Sequence, residues 1–390
     1  MRFALLALLA LALALAACTT TGPAVTGSTS LEITIVTPAN VGDVDTRLTQ
    51  TLITATINIQ AKDALGANDA TYNHTVGVYA HYLGTLSPYL DATPITKISV
   101  VNGVATNQAV VLPATYGPTT LWVDDVVDAH PTYATGVSPT LWFRDPFISD
   151  TQNPIGFTGN DVFDFGPLDG KNVSIKSSRY GATGKLVVTS VFSQGYTVAD
   201  VNCPTGAAPC TSHAYDYIEV FSFSAPTDQN AQFISEGQTI SRFSGGVTQF
   251  DGLTEIGFPQ TFVASDSVTD KSLEPAVAVI DSTWFGANKI RFEENEANPI
   301  EIDNGVVCPL DATYTTYKQW KLDPSGVGDA ASCAGKNLIS VISAGVVELD
   351  VGTLVGKVVP KIVGVLRPIN IGSFNVWIIY PRSAADIKTN

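Results

Sequence analysis

The stretch that decides the fold class is GKLVVTSVFSQGYTVAD, residues 184–200. Two runs rich in Val, Thr and aromatic residues flank the short segment Ser193-Gln194-Gly195. Runs of this composition around a few turn-forming residues are typical of two antiparallel strands joined by a tight turn. Val, Thr, Gly and Tyr are abundant along the whole chain, and Met1 is its one methionine. The sequence therefore predicts an all-β protein.

Residues 31–150, before this hairpin, show the period of a half-buried sheet. In TLITATINIQA, residues 51–61, Ile and Ala alternate with Thr, Asn and Gln, as in a strand with one buried face. Asn102-Gly103 separates two further apolar runs, and this dipeptide is the strongest short signal for a hairpin. Short strands with turns at this spacing favour a sandwich or barrel. The region resembles bacterial immunoglobulin-like domains, which implies an Ig-like β-sandwich.

Two further segments continue the pattern of residues 184–200. They are YDYIEVFSF, residues 215–223, and EGQTISRFSGGVTQFDGLTEI, residues 236–256. In this order the three segments resemble the OB-fold modules attached to secreted bacterial nucleases. The resemblance implies a five-stranded barrel of a class that binds oligonucleotides or oligosaccharides.

A second copy of this module is indicated near the C-terminus. FNVWIIYPRSAADI, residues 374–387, has the same closing pattern of a strand that runs into Pro-Arg and then Ala-Asp-Ile. We therefore expect two OB-like five-stranded barrels, at residues 151–263 and 284–390, joined by a linker at residues 264–283.

The N-terminus carries an uncharged apolar run, Phe3–Ala17. A run of this length is shorter than the roughly 20 residues of a spanning helix and is typical of a cleaved secretion signal. Its end, Leu15-Ala16-Ala17-Cys18, resembles the bacterial lipobox. That resemblance implies cleavage before Cys18 and acylation of its sulfur and new amine by fatty acids such as palmitate. The alternative is an ordinary signal peptide with a chance cysteine.

The lipobox divides the start of the chain into two segments. Residues 1–17 are predicted to be a lipoprotein signal peptide, and residues 18–30, rich in Thr, Gly and Ser, a lipidated flexible tether. Thr19 stands where an inner-membrane lipoprotein of enteric bacteria would have Asp, so the resemblance favours the outer membrane. It leaves open whether the protein faces the periplasm or the cell surface.

Four cysteines remain once Cys18 is assigned to the anchor. An even number in an exported protein predicts disulfides, and four cysteines allow three pairings. We predict the two local pairs, Cys203–Cys210 and Cys308–Cys333, because Pro, Gly and Ala between the first two let the chain turn back. The alternative is a metal site that combines His213 with Cys203 and Cys210.

The chain is acidic, with 21 Lys and Arg against 36 Asp and Glu and a formal net charge of −15. Nucleic-acid binding depends on basic side chains that neutralise phosphates, so this charge disfavours nucleic acid as a partner.

A candidate ligand platform lies in the predicted third strand of the first OB-like module. Tyr215, Tyr217 and Phe221 share one strand face with Glu219 and Phe223. OB folds stack bases on aromatic side chains placed in this way. The alternatives are that these rings belong to the core or to a domain–domain contact.

The second module offers a basic and aromatic candidate site. Lys318, Trp320 and Lys321 lie close together in sequence, and Arg367 and Arg382 follow. Basic residues beside aromatic ones suit a polyanion, although a strand tryptophan is commonly core.

Two clusters of oxygen-bearing side chains are candidate Ca²⁺ ligands or ordinary turn residues. They are Asp63, Asn68 and Asp69, and Asp124, Asp125 and Asp128. We interpret both as turns, so no metal and no other cofactor is predicted.

The sequence shows no nucleophile elbow, phosphate-binding loop or zinc-protease motif. We therefore expect a non-catalytic, membrane-anchored lipoprotein that displays binding or scaffolding domains for an envelope protein or glycan. The first alternative is a lipoprotein that captures nucleic acid through its OB-like modules, and the second is an unrecognised hydrolase.

Overall fold

The computed structural model describes residues 28–49, 53–82, 93–112, 115–125, 134–159, 162–205, 209–286, 289–326, 333, 337–343 and 349–389. The predicted signal peptide, the lipid-bearing Cys18 and nearly all of the tether lie outside these residues, as does Asp128. The chain forms two compact units, residues 1–144 and residues 145–390. Both are built mainly from β-strands, as the sequence predicted. No helix among the described residues is long and apolar enough to cross a membrane.

The first unit is one barrel-like sheet of eight strands. Its strands are β1 (Ser28–Thr37), β2 (Ile53–Asp63), β3 (His74–Tyr82), β4 (Thr96–Val100), β5 (Val104–Leu112), β6 (Pro118–Asp124), β7 (Thr135–Val137) and β8 (Leu141–Trp142). They follow the order β4-β3-β6-β7-β1-β2-β5, with β8 paired to β6. The Ig-like sandwich expected here stays a prediction.

The core of the first unit follows the alternation of β2. Ala55, Ile57 and Ile59 are fully buried, and the intervening polar residues are not. Asn102 and Gly103 form the turn between β4 and β5, both with positive φ, as the Asn-Gly signal predicted. A Cβ on Gly103 would lie 2.1 Å from the carbonyl oxygen of Asp69, so the turn requires glycine.

Two of the acidic side chains considered as Ca²⁺ ligands, Asp63 and Asp125, are hydrogen-bonded within the first unit. Asp63 Oδ1 accepts the backbone N–H groups of Leu65 and Ala67, which is the turn role expected for it. Asp125 is buried and accepts the hydroxyl of Tyr72 at 3.0 Å and the N–H of Ala134 at 2.9 Å.

The second unit holds two closed sheets. The first contains β11 (Asn172–Ile175), β12 (Gly184–Phe192), β13 (Gly195–Asn202), β14 (Tyr217–Phe221), β15 (Thr239–Ile240), β16 (Arg242–Phe250) and β17 (Leu253–Phe262). It is preceded by helix α1 (Ile148–Gln152) and the short hairpin β9 (Phe157–Gly159) and β10 (Val162–Phe163). The hairpin predicted at residues 184–200 is the β12–β13 pair.

Pairing in this first closed sheet returns to its starting strand. β12, β13 and β14 form an antiparallel meander. β14 then pairs in parallel with β17, and β17 pairs antiparallel with β16. The ring closes because β15, one residue before β16, pairs with β12.

The second closed sheet repeats this order. Its elements are β18 (Ala278–Val279), α2 (Ile290–Glu293), β19 (Pro299–Val307), α3 (Ala312–Tyr317), β20 (Gln319–Asp323), β21 (Ile339–Ile342), β22 (Val358–Ile371), β23 (Phe374–Tyr380) and β24 (Ile387–Lys388). The meander β19–β20–β21 continues through a parallel pairing of β21 with β23, and β22 pairs with both β23 and β19. Both predicted disulfides are present, Cys203–Cys210 and Cys308–Cys333.

Candidate functional site

Strand β14, the predicted ligand platform, is covered on both faces along most of its length. Ile218 and Val220 are fully buried on one face. On the other face Tyr217 is 2% exposed and Glu219 is 1% exposed. Glu219 forms an ion pair with Arg367 of the second closed sheet, at 2.8 Å between Oε2 and Nη2. The second closed sheet therefore lies against the face that was expected to meet a ligand.

Tyr217 is consequently a core residue rather than a ligand contact. Its ring packs in a buried cluster with Val187, Ala199 and Ala297. Its hydroxyl is hydrogen-bonded to the hydroxyl of Ser212. The interpretation of Tyr217 as an exposed stacking residue is corrected, and the alternative that it belongs to the core describes it.

Tyr215 also faces the second closed sheet. Its backbone N–H donates to the carbonyl oxygen of Glu294 at 2.9 Å. Burial, together with the charges of Glu293 and Glu294, raises the pKa of Tyr215 to about 12. The half-buried ring belongs to the contact between the two sheets.

The basic and aromatic candidates of the second module do not form an open site. Trp320 is 2% exposed and lies in the core of the second closed sheet, so its assignment as a ligand residue is also corrected. Lys321 Nζ is 2.6 Å from Asp311 Oδ2. The Lys318 ammonium lies 5.1 Å from the ring centre of Tyr314.

Two arginines near the end of the chain join the two closed sheets. The Arg367 guanidinium is 4.7 Å from the ring centre of Phe192 and 4.9 Å from that of Tyr380. Arg382 forms an ion pair with Asp386 at 3.0 Å and donates to the carbonyl oxygen of Thr189 at 3.1 Å. Both cations are therefore engaged inside the second unit.

The exposed part of the predicted platform is its outer end. Phe221 and Phe223 contact each other edge to face with ring centres 4.5 Å apart. Phe258 of β17 lies 4.9 Å from Phe223. Phe223 is 55% exposed and Phe258 is 81% exposed. We call Phe221, Phe223 and Phe258 the Phe cluster.

The backbone holds two of these rings outward at a conformational cost. Phe223 has φ of 59° and Phe258 has φ of 51°, a region that bulky residues rarely adopt. At Phe258 the cause is a bulge, because Gln260 pairs with Ser244 while Gly257 pairs with Gly246. Strained residues of this kind concentrate at functional sites.

An open cavity of about 370 Å³ lies beside the Phe cluster. Its walls contain Phe223 and Phe258, Pro226 and Pro259, and hydroxyl or amide side chains such as Gln260. None of the described residues that line it carries a charged side chain. The cavity thus combines aromatic faces with neutral hydrogen-bonding groups.

The loop that forms one wall of the cavity is fixed in place. Gln229 binds the backbone of Val263 twice, once as donor and once as acceptor, both at 2.8 Å. Asp228 Oδ1 accepts the N–H groups of Asn230 and Gln232. A wall anchored in this way loses little conformational entropy when a ligand binds.

The sequence named part of this site and missed part. Phe221 was a predicted ligand residue, and Phe223 was placed on the same strand face. Phe258 was not identified, although the signal was present: Gly257-Phe258-Pro259 puts a glycine and a proline inside a strand, which is typical of a bulge.

The alternative metal site at His213 does not form. Cys203 and Cys210 are bonded to each other, so neither sulfur is a free thiolate. The backbone N–H of His213 instead donates to Asp216 Oδ2 at 2.7 Å.

Comparisons with known proteins add little to these observations. No protein-family model and no curated protein matches the chain. A solved structure, dimeric latent PorU from Porphyromonas gingivalis, is similar over 90% of this chain with 8% identity and a TM-score of 0.21. The chain spans 34% of the length of that protein. The disulfides and the strand-based fold indicate an exported, all-β protein.

Proposed function

We propose that this chain is a non-catalytic, lipid-anchored protein of the cell envelope that binds a neutral glycan at the cavity beside the Phe cluster. The single observation that carries the binding role is the cavity itself. Its rings are exposed and backbone-strained, and its polar groups are uncharged. Pockets with apolar walls and a few convergent polar groups are the usual form of small-ligand sites.

The proposed architecture is an Ig-like domain followed by two OB-like barrels. The strand order supports the OB-like part. In each closed sheet the third strand of an antiparallel meander pairs in parallel with a later strand, β14 with β17 and β21 with β23. OB folds are five-stranded Greek-key barrels that bind oligosaccharides as well as oligonucleotides.

The proposed anchor is Cys18, through its lipobox. Two disulfides support export, because such bonds persist in oxidising compartments. Two or more acyl chains provide stable membrane attachment, and we assign the protein to the outer membrane on the residue that follows the cysteine.

A neutral glycan fits the cavity better than a nucleic acid. Stacking on Phe223 and Phe258 suits a sugar ring, and Gln260 and the neighbouring hydroxyls suit its alcohol groups. A nucleic acid needs cations at the same place, yet Arg367 and Arg382 are engaged elsewhere. The hydrolase alternative gains no support from the described side chains.

The test is a binding titration of the full-length protein in detergent, with uncharged soluble oligosaccharides and single-stranded DNA as probes. Phe258→Ala and Phe223→Ala should each weaken oligosaccharide binding about five- to hundredfold, since a stacking contact is worth about 1–3 kcal/mol. Phe250→Ala is the matched control, because Phe250 is also exposed but does not line the cavity. Equal binding by all variants, or binding of DNA alone, contradicts the proposal.

A further inference from the structure

The contact between the two closed sheets carries a concentration of acidic side chains. We call Glu219, Glu255, Glu293, Glu296 and Arg367 the acidic seam. Glu296, just before the second closed sheet, accepts the backbone N–H of Thr254 from β17 at 2.8 Å. The seam therefore links the two sheets through carboxyl groups.

Three of these carboxyl groups are almost completely removed from water. Glu219 is 1% exposed, Glu296 is 3% exposed and Glu293 is 5% exposed. The second oxygen of Glu296, Oε2, is buried and has no hydrogen-bond partner among the described residues. A buried, unpartnered carboxylate oxygen is strongly unfavourable, whereas a protonated carboxyl group avoids the charge.

The cations near the seam do not balance these carboxyl groups. Arg367 pairs with Glu219; burial raises the pKa of half-buried Glu255, and Arg367 only partly opposes that rise. Three ionised buried carboxylates against one guanidinium would leave two uncompensated negative charges. The described residues contain no group of three acidic, His or Cys side chains placed to hold a metal ion.

The groups that face Glu293 and Glu296 across the seam are a like charge and a neutral phenol, while Arg291 on their own segment pairs with Asp281 at 3.7 Å. Tyr215 and Glu219 face them from the first closed sheet, and Glu255 faces Glu219 from β17. Burial raises the pKa of the Tyr380 hydroxyl in β23; Arg367 opposes this rise and Glu219 adds to it. Glu294 lies on the same segment as Glu293 and Glu296.

We infer that the acidic seam is a proton-dependent joint: Glu293 and Glu296 carry protons while the two closed sheets are docked, and the docked arrangement weakens when those protons leave. This inference concerns the stability of the second unit and does not depend on the ligand proposed for the cavity.

The direction of the pH dependence follows from burial. Desolvation raises the pKa of Glu293 from 4.5 to about 8, and it raises that of Glu296 well above its ordinary value. A group with a raised folded-state pKa contributes stability that is present below its unfolded value and lost as pH rises through the folded value. The contribution of Glu293 is therefore complete below about pH 4.5 and is lost progressively as the pH rises to about 8.

The test is urea unfolding of the full-length protein in detergent at pH 6.5 and pH 9. Across this window the folding equilibrium constant of the wild type should fall about hundredfold, because Glu293, with a pKa near 8, contributes about thirtyfold and Glu219, with a pKa of about 7, contributes about fourfold. In Glu293→Gln/Glu296→Gln the fall should shrink to about fivefold or less, because both amides are neutral at every pH and only Glu219, with a pKa of about 7, still loses its proton in this window. Glu294→Gln, the same change on a half-exposed neighbour, should keep the wild-type fall.

Several outcomes overturn the inference. They are an equal equilibrium constant for the wild type at both pH values, a double variant as pH-sensitive as the wild type, and full rescue at pH 9 by millimolar CaCl₂, which would make the seam a cation site. If the double variant does not fold, Glu293→Gln replaces it. An unchanged fall in that single variant then also overturns the inference.

Discussion

Replacing Arg367 with methionine tests how the two closed sheets are held together. Methionine keeps much of the length and apolar character of the side chain but removes the guanidinium. In the native protein that group lies 2.8 Å from Glu219 Oε2 and between the rings of Phe192 and Tyr380. The variant leaves Glu219 buried without its cation.

The expected cost depends on the protonation of Glu219. Removing one partner of a buried ion pair destabilises a protein by about 3–5 kcal/mol, and lost cation–π contacts add about 0.5–1 kcal/mol each. Burial already raises the pKa of Glu219 to about 7 with Arg367 present. At pH 8, one unit above this pKa, an unpaired Glu219 takes up a proton at a cost of about 1.4 kcal/mol, so with the lost stacking we expect Arg367→Met to cost about 2–3 kcal/mol. At pH 5, where Glu219 is protonated, we expect only the loss of about 1–2 kcal/mol from stacking.

The assay is urea unfolding at both pH values, with two comparison variants. Arg242→Met removes a guanidinium that lies 3.9 Å from the ring centre of Phe262, and it should cost no more than about 1 kcal/mol at either pH. Glu219→Gln/Arg367→Met removes both charges and should recover about 1.4 kcal/mol at pH 8, leaving only the cost of the lost cation–π contacts. A cost below about 1 kcal/mol at pH 8, an equal cost at pH 5, or a double variant as unstable as Arg367→Met refutes the reasoning.

Two further predictions address the core and the anchor. Tyr217→Ala should destabilise the second unit by about 3–5 kcal/mol, as for other large buried rings; an unchanged melting temperature in calorimetry would show that the ring is not packed. Cys18→Ser should move the protein from the detergent phase to the aqueous phase in cloud-point partitioning, or leave it uncleaved, because the acyl chains supply the membrane affinity; equal partitioning of both forms would contradict the lipobox assignment.

The sequence predicts the local elements of the fold because their causes lie within a few residues. The β12–β13 hairpin follows from two β-favouring runs around a two-residue turn. Asn102-Gly103 adopts the positive φ angles that its turn type needs. The disulfide Cys203–Cys210 spans a short segment that is able to fold back on itself.

The sequence does not predict what covers a strand. Alternation places Tyr217 and Glu219 on the same face of β14, but part of what covers this face, Ala297 beside Tyr217 and Arg367 beside Glu219, comes from far along the chain. A single sequence contains no signal for such a distant contact, so an exposed platform and a sheet-to-sheet contact have the same local pattern. The burial of Trp320 illustrates the same ambiguity in the second closed sheet.

The contact between the closed sheets also explains why the candidate site lies where it does. In the OB-like barrel that we propose, the second and third strands, β13 and β14, would present the usual ligand face. The second closed sheet covers most of that face, so a ligand meets only its outer end, where Phe223 and Phe258 are exposed. A bulge at Phe258 turns a ring outward that regular alternation would not place there. Under the proposed arrangement, the docking of two barrels covers the binding face that β13 and β14 would otherwise present. The strained Phe cluster then supplies a separate binding surface at the edge of that face.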